Sequence, residues 1–280
     1  MRGVRAPGIQ MPPSRPASLD DIARHRHRFL STTRAQRHLG SDSDHYQKNA
    51  TKYWDNFYKR HDNKFFKDRH YLEKDWGCYF STDATSRKAK VVLEVGCGAG
   101  NTIFPLITAF PNLFVHACDF SPHAIRLVKS HRVFREDRVN AFVCDVTNGD
   151  LCEKIVPSSV DVVTLIFMLS AVSPKKMPLI LQNIRKVLKP NGYVLIRDYA
   201  IGDFAQEKLT NRNQMIGENF YFRGDGTCAF YFSEDFLLTM FERNGFATVE
   251  TNIYCKQIEN RSCNVVMDRR WIRAAFCNLD

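Results

Sequence analysis

The chain has 280 residues, of which 44% are hydrophobic, and its formal net charge is +10. This length suffices for one large domain with its own core, and no apolar run approaches the roughly 20 residues of a membrane span. The nine cysteines lie at irregular spacings without a C-x-x-C pair, which indicates neither a disulfide framework nor a zinc site. We therefore expect a soluble, non-secreted protein of a reducing compartment, with neither a membrane span nor a bound metal.

Most of the excess positive charge lies near the start of the chain. Residues 1–75 contain 16 Lys and Arg against nine Asp and Glu, and six of the nine His. Residues 1–45 are rich in Arg, Pro, Ser and His and have no amphipathic period, which predicts a disordered basic tail. Such a charge favours a polyanionic partner, with nucleic acid as the leading candidate, although a merely solvated tail has the same composition.

The first 19 residues faintly resemble an organellar transit peptide. They contain Arg2, Arg5 and Arg15 and no acid, whereas Asp20 and Asp21 directly afterwards weaken the resemblance. We expect a cytoplasmic protein, with the nucleus as a further location and mitochondrial or plastid import as the alternative.

The segment "YWDNFYKRHDNKFFKDRHYL", residues 53–72, interleaves aromatic and basic side chains. Aromatic faces stack on unpaired bases, and Lys and Arg contact phosphates. The composition of this segment therefore suits contact with RNA. The alternative is that Phe65 and Phe66 only hold a helix against the domain.

From residue 90 onwards, apolar runs alternate with helical patterns. The runs lie at residues 90–100, 113–120, 140–146, 160–169 and 192–199, and the helical patterns at 102–110, 122–131 and 177–189. This alternation predicts a doubly wound α/β fold with a parallel sheet covered on both faces.

The last third follows a different pattern. It predicts a strand at 228–233, a helix at 233–245 with Ser233 as its N-cap and Gly245 at its end, and two strands at 247–258 and 262–277. The final strand is expected to pair antiparallel with its neighbour.

Ligands of such sheets bind beyond the carboxyl ends of the strands. The first run ends with Gly96, Gly98 and Gly100, whose missing side chains let a ligand approach the backbone at a helix N-terminus. The spacing is G-x-G-x-G and not the G-x-G-x-x-G of nicotinamide sites, which disfavours an oxidoreductase. The carboxylate of Glu94 suits a ligand with a cationic amino-acid portion better than a pyrophosphate.

Two further acids end the next apolar runs. Asp119 is placed to accept hydrogen bonds from both hydroxyls of a ribose, and Asp145 from the exocyclic amine of adenine. Each acid alone is also a common helix cap, because Asp119 precedes a helical segment that begins near Pro122.

In its order of motifs the chain resembles a class I S-adenosylmethionine-dependent methyltransferase. The motifs are "VVLEVGCGAG", "ACDFS", "CDV", "VDVVTLIFMLSAV" and "VLKPNGYVLIRDY", over about residues 90–200. Together with residues 53–72, "GENFYFRGDGTCAFYF" and "MDRRWIRAAF" narrow the resemblance to the eukaryotic tRNA N3-methylcytidine methyltransferases, from about residue 50 to 276.

The resemblance implies a Rossmann-like, doubly wound and mostly parallel seven-stranded sheet with an antiparallel C-terminal strand, over residues 90–280. It implies that residues 46–89 contact the cofactor and the tRNA. It further implies S-adenosylmethionine contacts from Trp54, Tyr58, Glu94, Gly96, Gly98, Gly100, Asp119, Asp145, Val146 and Ile166. The candidate RNA contacts are Lys59, Arg60, Phe65, Phe66, Lys67, Arg69, His70, Arg197, Tyr199, Arg269 and Arg270.

The implied reaction forms N3-methylcytidine in tRNA at conventional position 32. Cytosine N3 is unprotonated at neutral pH and needs no general base, so alignment should supply most of the rate. Methylation leaves the base cationic, and we predict that the carboxylate of Asp198 stabilises that charge. The alternative is that Asp198 pairs with Arg197 to close its strand. Arg269 and Arg270 extend the RNA surface or are only solvated.

Other functions use the same sheet. A small-molecule methyltransferase does not require the basic aromatic segment, and a noncatalytic RNA-binding relative does not require the acids. Methylation of another RNA nucleoside stays open, as does presentation of the tRNA by an aminoacyl-tRNA synthetase or another protein.

Overall fold

The computed structural model describes residues 44–82, 88–260 and 265–279. The predicted tail lies outside the described residues apart from residues 44 and 45, which already belong to a helical turn. In the described ranges, no helix combines the length and the apolar character that crossing a membrane requires.

One seven-stranded sheet forms the centre of the protein. Its strands are β1 (Lys90–Val95), β2 (Leu113–Asp119), β3 (Val139–Val143), β4 (Val160–Ile166), β5 (Leu188–Tyr199), β9 (Phe246–Asn260) and β10 (Val265–Asn278). The order across the sheet is β3-β2-β1-β4-β5-β10-β9. Strands β1 to β5 pair parallel, and β10 pairs antiparallel with both β5 and β9. The predicted sheet, including its antiparallel C-terminal strand, is confirmed.

The described residues include seven α-helices. They are α1 (Ala50–His61), α2 (Tyr71–Phe80), α3 (Ile103–Ala109), α4 (Pro122–Lys129), α5 (Met177–Val187), α6 (Phe204–Asn211) and α7 (Glu234–Arg243). Ser121 is the N-cap of helix α4, because its hydroxyl accepts a hydrogen bond from the Ala124 N–H. Pro122 is the first residue of the helix. Ser233 caps α7 in the same way, as predicted.

The predicted strand at 228–233 is only partly correct. Residues Cys228–Phe230 form β8, which belongs to a separate three-stranded antiparallel sheet with β6 (Met215–Gly217) and β7 (Phe220–Phe222). The six-residue prediction joined β8 to residues 231–233, because the apolar run continues past the end of the pairing.

The parallel strands β1, β2 and β4 are mostly buried on both faces, which explains their largely apolar sequences. In β1, Leu93 and Val95 belong to one apolar cluster and Val92 to another, because successive side chains of a strand point to opposite faces. Val163 and Val162 divide the same way in the neighbouring β4. Apolar side chains on the two faces of the sheet form the core. The carboxyl ends of the parallel strands are therefore available for a ligand-binding site.

Candidate active site

A cleft opens at the carboxyl ends of β1, β2 and β4, beneath helix α1. Six of the ten residues predicted to bind the cofactor line it: Trp54, Tyr58, Gly96, Asp119, Asp145 and Val146. The strand-end residues therefore meet in one place, together with two aromatic side chains that α1 contributes.

The glycine loop after β1 packs tightly against other parts of the site. Gly96 has φ +68°, and a Cβ built there would lie 2.2 Å from Met168 Cγ. Gly98 has φ +53°, and a Cβ there would lie 2.6 Å from the Tyr58 hydroxyl. Both positions thus need glycine for conformation and for space. Gly98 and Gly100 do not line the cleft, so their contribution in this geometry is to let Tyr58 and Phe104 approach the loop.

Asp119 supplies a buried carboxylate to the cleft floor. Its Oδ1 accepts from the Ser121 N–H at 2.8 Å and its Oδ2 from the Gly98 N–H at 3.0 Å. Burial raises its pKa to about 6, although the two backbone N–H groups favour the charged form. Each oxygen retains a lone pair, and a ribose with two hydroxyl donors fits that arrangement. The cap of α4 is Ser121, so Asp119 is not needed for that purpose.

Glu94 is buried behind the loop and does not line the cleft. Its carboxyl group contacts the hydroxyl of Thr164. Burial raises the pKa of Glu94 to about 8, while hydrogen bonds from Thr164 and Thr102 and the charge of Arg69 oppose the rise. A cationic group nearby would favour the ionised form, which is compatible with the ammonium group of an amino-acid portion.

The far end of the cleft is formed by Asp145 and Val146. Asp145 Oδ1 accepts from the N–H and hydroxyl of Thr147, at 2.9 and 2.8 Å, and Oδ2 accepts from Asn148 at 3.0 Å. Its Oδ2 retains a lone pair that is available to an amine donor. Ile166 ends β4 but is buried and does not line the cleft, whereas the next residues, Phe167 and Met168, do so.

The N-terminal strap, residues 44–82, is fastened over these strand ends. Asp55 accepts from the hydroxyl of Ser121 at 2.7 Å and the N–H of His123 at 3.0 Å. The Arg69 N–H donates to the carbonyl of Asn101 at 2.8 Å. These bonds join the strap to α4 and to the residue that follows the glycine loop.

The RNA contacts predicted in the strap differ in exposure. Phe65 is 56% exposed, although its ring and that of Phe66 lie 4.9 and 5.6 Å from the ring of buried Phe57. The two phenylalanines therefore pack against the helix, as the alternative expected, while one face of Phe65 stays in solvent. Arg69 is half-buried, with its Cζ 5.0 Å from the ring centroid of Phe167. The remaining predicted contacts are exposed: Lys59, Arg60, Lys67 and His70.

Arg197 does not pair with Asp198, so that alternative is wrong. Its Nη1 lies 2.8 Å from Asp75, and its Cζ lies 3.8 and 4.7 Å from the ring centroids of Tyr71 and Tyr254. The reason is that consecutive residues of a strand point to opposite faces of the sheet. Arg197 thereby holds α2 against β5, and with its side chain only 13% exposed it contributes little to an outer RNA surface.

Asp198 is fully buried and does not line the cleft. Its oxygens accept from the N–H groups of Ser170 and Tyr199, both at 2.9 Å. Burial raises its pKa to about 6, opposed by hydrogen bonds from Ser170 and Tyr199. The catalytic role of this carboxylate stays a prediction.

Tyr199 lies at the centre of an arginine–tyrosine patch, defined here as Tyr199, Arg223 and Arg269. The two guanidinium carbons lie 5.7 and 6.0 Å from the Tyr199 ring centroid. Arg269 is not simply solvated, because its Nε donates to the buried carboxylate of Asp203 at 2.8 Å. The backbone N–H of Arg270 donates to the same carboxylate at 2.8 Å, which fixes this end of β10.

Sequence reasoning missed Arg223, Phe167 and Trp271. Trp271 stacks on Tyr254 at 5.3 Å and lies 5.3 Å from Arg269. Arg223 lies in "NFYFRGDG", where one basic residue among aromatic residues and glycines forms no charge pattern. Cys97 of the glycine loop is buried, and burial raises the pKa of its thiol, which disfavours the nucleophilic thiolate form.

The residues of the cleft fit S-adenosylmethionine. Asp119 offers acceptors for the ribose, the Asp145 end has a free acceptor beside apolar Val146, and Glu94 lies behind the glycine loop. Among the described residues, no group of three or more potential ligands could hold a metal ion.

Comparison with known proteins gives a consistent result. A model described as a methyltransferase domain matches residues 93–194. The Homo sapiens tRNA N(3)-cytidine methyltransferase METTL6 is 42% identical over 230 residues, which cover 82% of this chain and 81% of that protein. The Saccharomyces cerevisiae tRNA(Thr) (cytosine(32)-N(3))-methyltransferase is 36% identical over 239 residues, 84% of this chain and 38% of that protein.

A solved structure of a SAM-dependent methyltransferase from Anabaena variabilis shares the fold. It has a TM-score of 0.60 at 12% identity and covers 82% of this chain and 95% of that one. Because the sequence match with METTL6 extends far beyond residues 93–194, it includes more than the cofactor domain. The chain belongs to the family of tRNA N(3)-cytidine methyltransferases.

Proposed function

We propose that this protein transfers the methyl group of S-adenosylmethionine to N3 of a cytidine in tRNA. The observation that carries the proposal is the 42% identity to a tRNA N(3)-cytidine methyltransferase over 82% of the chain. The cleft supports it, because its acids and its glycine loop suit the cofactor. The patch beside the cleft supports it as well, because guanidinium and aromatic groups suit RNA.

The chemistry demands alignment more than proton transfer. When bound, S-adenosylmethionine supplies an electrophilic methyl group on sulfur. Trp54 and Tyr58 cover the cleft from α1 and restrict access of water, and Asp119 orients the ribose. The buried carboxylate of Asp198 provides negative charge near the end of β5, where a methylated cytosine becomes cationic.

The tRNA approaches from the side of the arginine–tyrosine patch. Arg223 and Arg269 offer charge to phosphates next to the ring of Tyr199. A cytidine in an anticodon loop must leave its stack to reach a buried methyl group. The strap carries exposed Lys59, Lys67 and His70, which extend the basic surface.

We also propose position 32 of the anticodon loop as the target. The name of the Saccharomyces cerevisiae relative supports this position, at 36% identity. Presentation of the tRNA by an aminoacyl-tRNA synthetase or another protein stays a proposal that the assay below addresses.

Nucleoside mass spectrometry tests the function directly. Purified protein is incubated with labelled S-adenosylmethionine and either unmodified tRNA or total tRNA, with and without cell extract, and an Asp119→Asn variant serves as the control. Label in N3-methylcytidine is the expected result. Label in a different nucleoside would keep the class of enzyme and contradict the proposed target. Label that needs extract would identify a requirement for a partner.

A further inference from the structure

Phe167 has a backbone conformation that its side chain disfavours. Its φ is +55°, at the point where β4 ends. The other non-glycine residues with positive φ in the described ranges are Asp62, Ser158, Asn191, Asn213 and Asn219. These are small polar residues, and Asn and Asp in particular tolerate this region, whereas a bulky aromatic residue there is an outlier. Such strain persists only where the surroundings impose it, and it concentrates at functional sites.

The surroundings of Phe167 impose this backbone conformation. Its N–H donates to the carbonyl of Arg197 at 2.8 Å, which continues the pairing of β4 with β5. The next residue, Met168, fills the space over Gly96. The turn therefore directs two consecutive side chains into the cleft, which a regular strand cannot do because its side chains alternate.

The ring of Phe167 connects the cofactor cleft to the arginine–tyrosine patch. It lines the cleft and is only half-buried. Its centroid lies 5.1 Å from that of Tyr199, and the guanidinium of Arg69 lies 5.0 Å away. A phosphate chain held by Arg223 and Arg269 would thus deliver a base to the neighbourhood of this ring.

We propose that Phe167 is the stacking platform that positions the reacting cytosine, an inference that rests on the proposed function. A base that leaves its stack in the tRNA loses two neighbouring rings, and an aromatic side chain replaces part of that contact. Stacking also fixes the plane of the base. Since the N3 lone pair lies in that plane, a fixed plane aims N3 at one point of the cleft, and the strained turn fixes the ring itself.

The competing interpretation is that Phe167 is only a wall of the cofactor site. A wall residue affects the affinity for S-adenosylhomocysteine and the methylation rate together. A platform residue affects the methylation of tRNA while the affinity for S-adenosylhomocysteine stays near that of the wild type. The two interpretations therefore differ in how the loss of methylation rate compares with the loss of affinity for S-adenosylhomocysteine.

Four variants test the platform. Phe167→Ala and Phe167→Gly both remove the ring, but only glycine adopts the positive φ without strain. Phe167→Tyr retains the aromatic face, and Phe236→Leu, at an exposed position of helix α7, is the control for loss of an aromatic side chain elsewhere. The measurements are single-turnover methylation of tRNA, its dependence on tRNA concentration, calorimetric titration with S-adenosylhomocysteine, and the melting temperature.

The alanine and glycine variants should lose roughly 5- to 150-fold in single-turnover methylation, the range expected for one lost base–aromatic stack. Phe167→Tyr should retain most of the rate. Phe167→Gly should melt above Phe167→Ala yet methylate no faster, because it relieves strain without restoring the ring. Photocrosslinking of tRNA with 5-iodocytidine at the target position should label the peptide that contains Phe167.

The platform is wrong if both ring-less variants methylate tRNA at the wild-type rate. It is equally wrong if their loss of rate is matched by an equal loss of S-adenosylhomocysteine affinity. A wild-type protein that forms no N3-methylcytidine, even with extract, overturns the proposed function itself. If the wild type forms N3-methylcytidine and the two ring-less variants form it equally well, only the platform inference is wrong.

Discussion

Asp55 fastens helix α1 to helix α4, and its removal should loosen the cover of the cofactor cleft. Its Oδ1 accepts from the Ser121 hydroxyl at 2.7 Å and the His123 N–H at 3.0 Å, and its Oδ2 lies 2.8 Å from the Lys59 ammonium. Burial opposes ionisation of Asp55, but the bonds from Lys59, Ser121 and His123 outweigh it and lower the pKa to about 2. The neighbouring Trp54 lines the cleft, so this contact holds the cover in place.

The structure sets the size of the effect. Asp55→Ala removes two hydrogen bonds from α4 to a charged acceptor, each of which contributes about 1.5–3 kcal/mol when water is excluded. The side chain is 17% exposed, so water replaces part of the loss. We therefore expect the local opening of α1 to become easier by about 2 kcal/mol, or roughly 30-fold.

Amide hydrogen exchange measures that opening. In Asp55→Ala, exchange within Ala50–His61 should accelerate about 30-fold, with that of the central sheet unchanged. Lys59→Ala is the matched control, because it retains both bonds to α4 and removes an ion pair whose lysine is 53% exposed. Such a pair contributes below about 1 kcal/mol, or roughly fivefold.

Equal exchange in Asp55→Ala and the wild type would refute the reasoning, and so would an equal effect of Lys59→Ala. The pH dependence adds a check. Because the folded-state pKa of Asp55 is depressed, its contribution is complete above the ordinary value of 3.8 and is lost as pH falls toward about 2. After correction for intrinsic exchange, protection of α1 should therefore not vary between about pH 5 and 7.

Three further substitutions have defined outcomes. Asp119→Asn replaces a charged acceptor by a neutral one and should weaken S-adenosylhomocysteine binding about tenfold or more in calorimetric titration; an unchanged affinity would contradict the ribose contact. Gly96→Ala, whose Cβ would meet Met168 Cγ at 2.2 Å, should lower the melting temperature, and added Met168→Ala should restore part of it. A wild-type melting temperature for Gly96→Ala alone would show that the loop yields freely. Burial raises the pKa of Asp198 from 3.8 to about 6, so the wild type should lose stability as pH rises across that interval. Asp198→Asn should make that slope shallower, while Asp119, whose pKa burial also raises to about 6, retains its share. Normal turnover of Asp198→Asn with saturating cofactor and tRNA would exclude the predicted catalytic role.

The alternating α/β part was predictable because its signals are local. Strands β1 to β3 are mostly apolar runs, and a glycine or an acid lies at the carboxyl end of each or within two residues of it. Parallel strands bring those ends to one edge, so Gly96, Asp119 and Asp145 were expected together, and the structure places them in one cleft.

The partners of the charged residues were not predictable in the same way. Arg197 and Asp203 form ion pairs with residues 122 and 66 positions distant in sequence, respectively. Whether such distant residues meet depends on where α2 and β10 pack, and no local sequence pattern specifies that packing. The strain at Phe167 was hidden for a related reason: an aromatic residue after an apolar run predicts a longer strand, and only the fold shows that the chain turns there.

The N-terminal strap joins the two halves of the site. Trp54 and Tyr58 line the cofactor cleft, while Arg69 of the same segment lies over Phe167 at the entrance for the base. A movement of the whole strap that admits the cofactor would therefore also move Arg69 relative to Phe167. If closure around the cofactor favours the arrangement that receives tRNA, linkage requires tRNA to strengthen cofactor binding by the same factor. A titration of S-adenosylhomocysteine with and without tRNA, and of tRNA with and without S-adenosylhomocysteine, should thus yield one coupling constant from both directions.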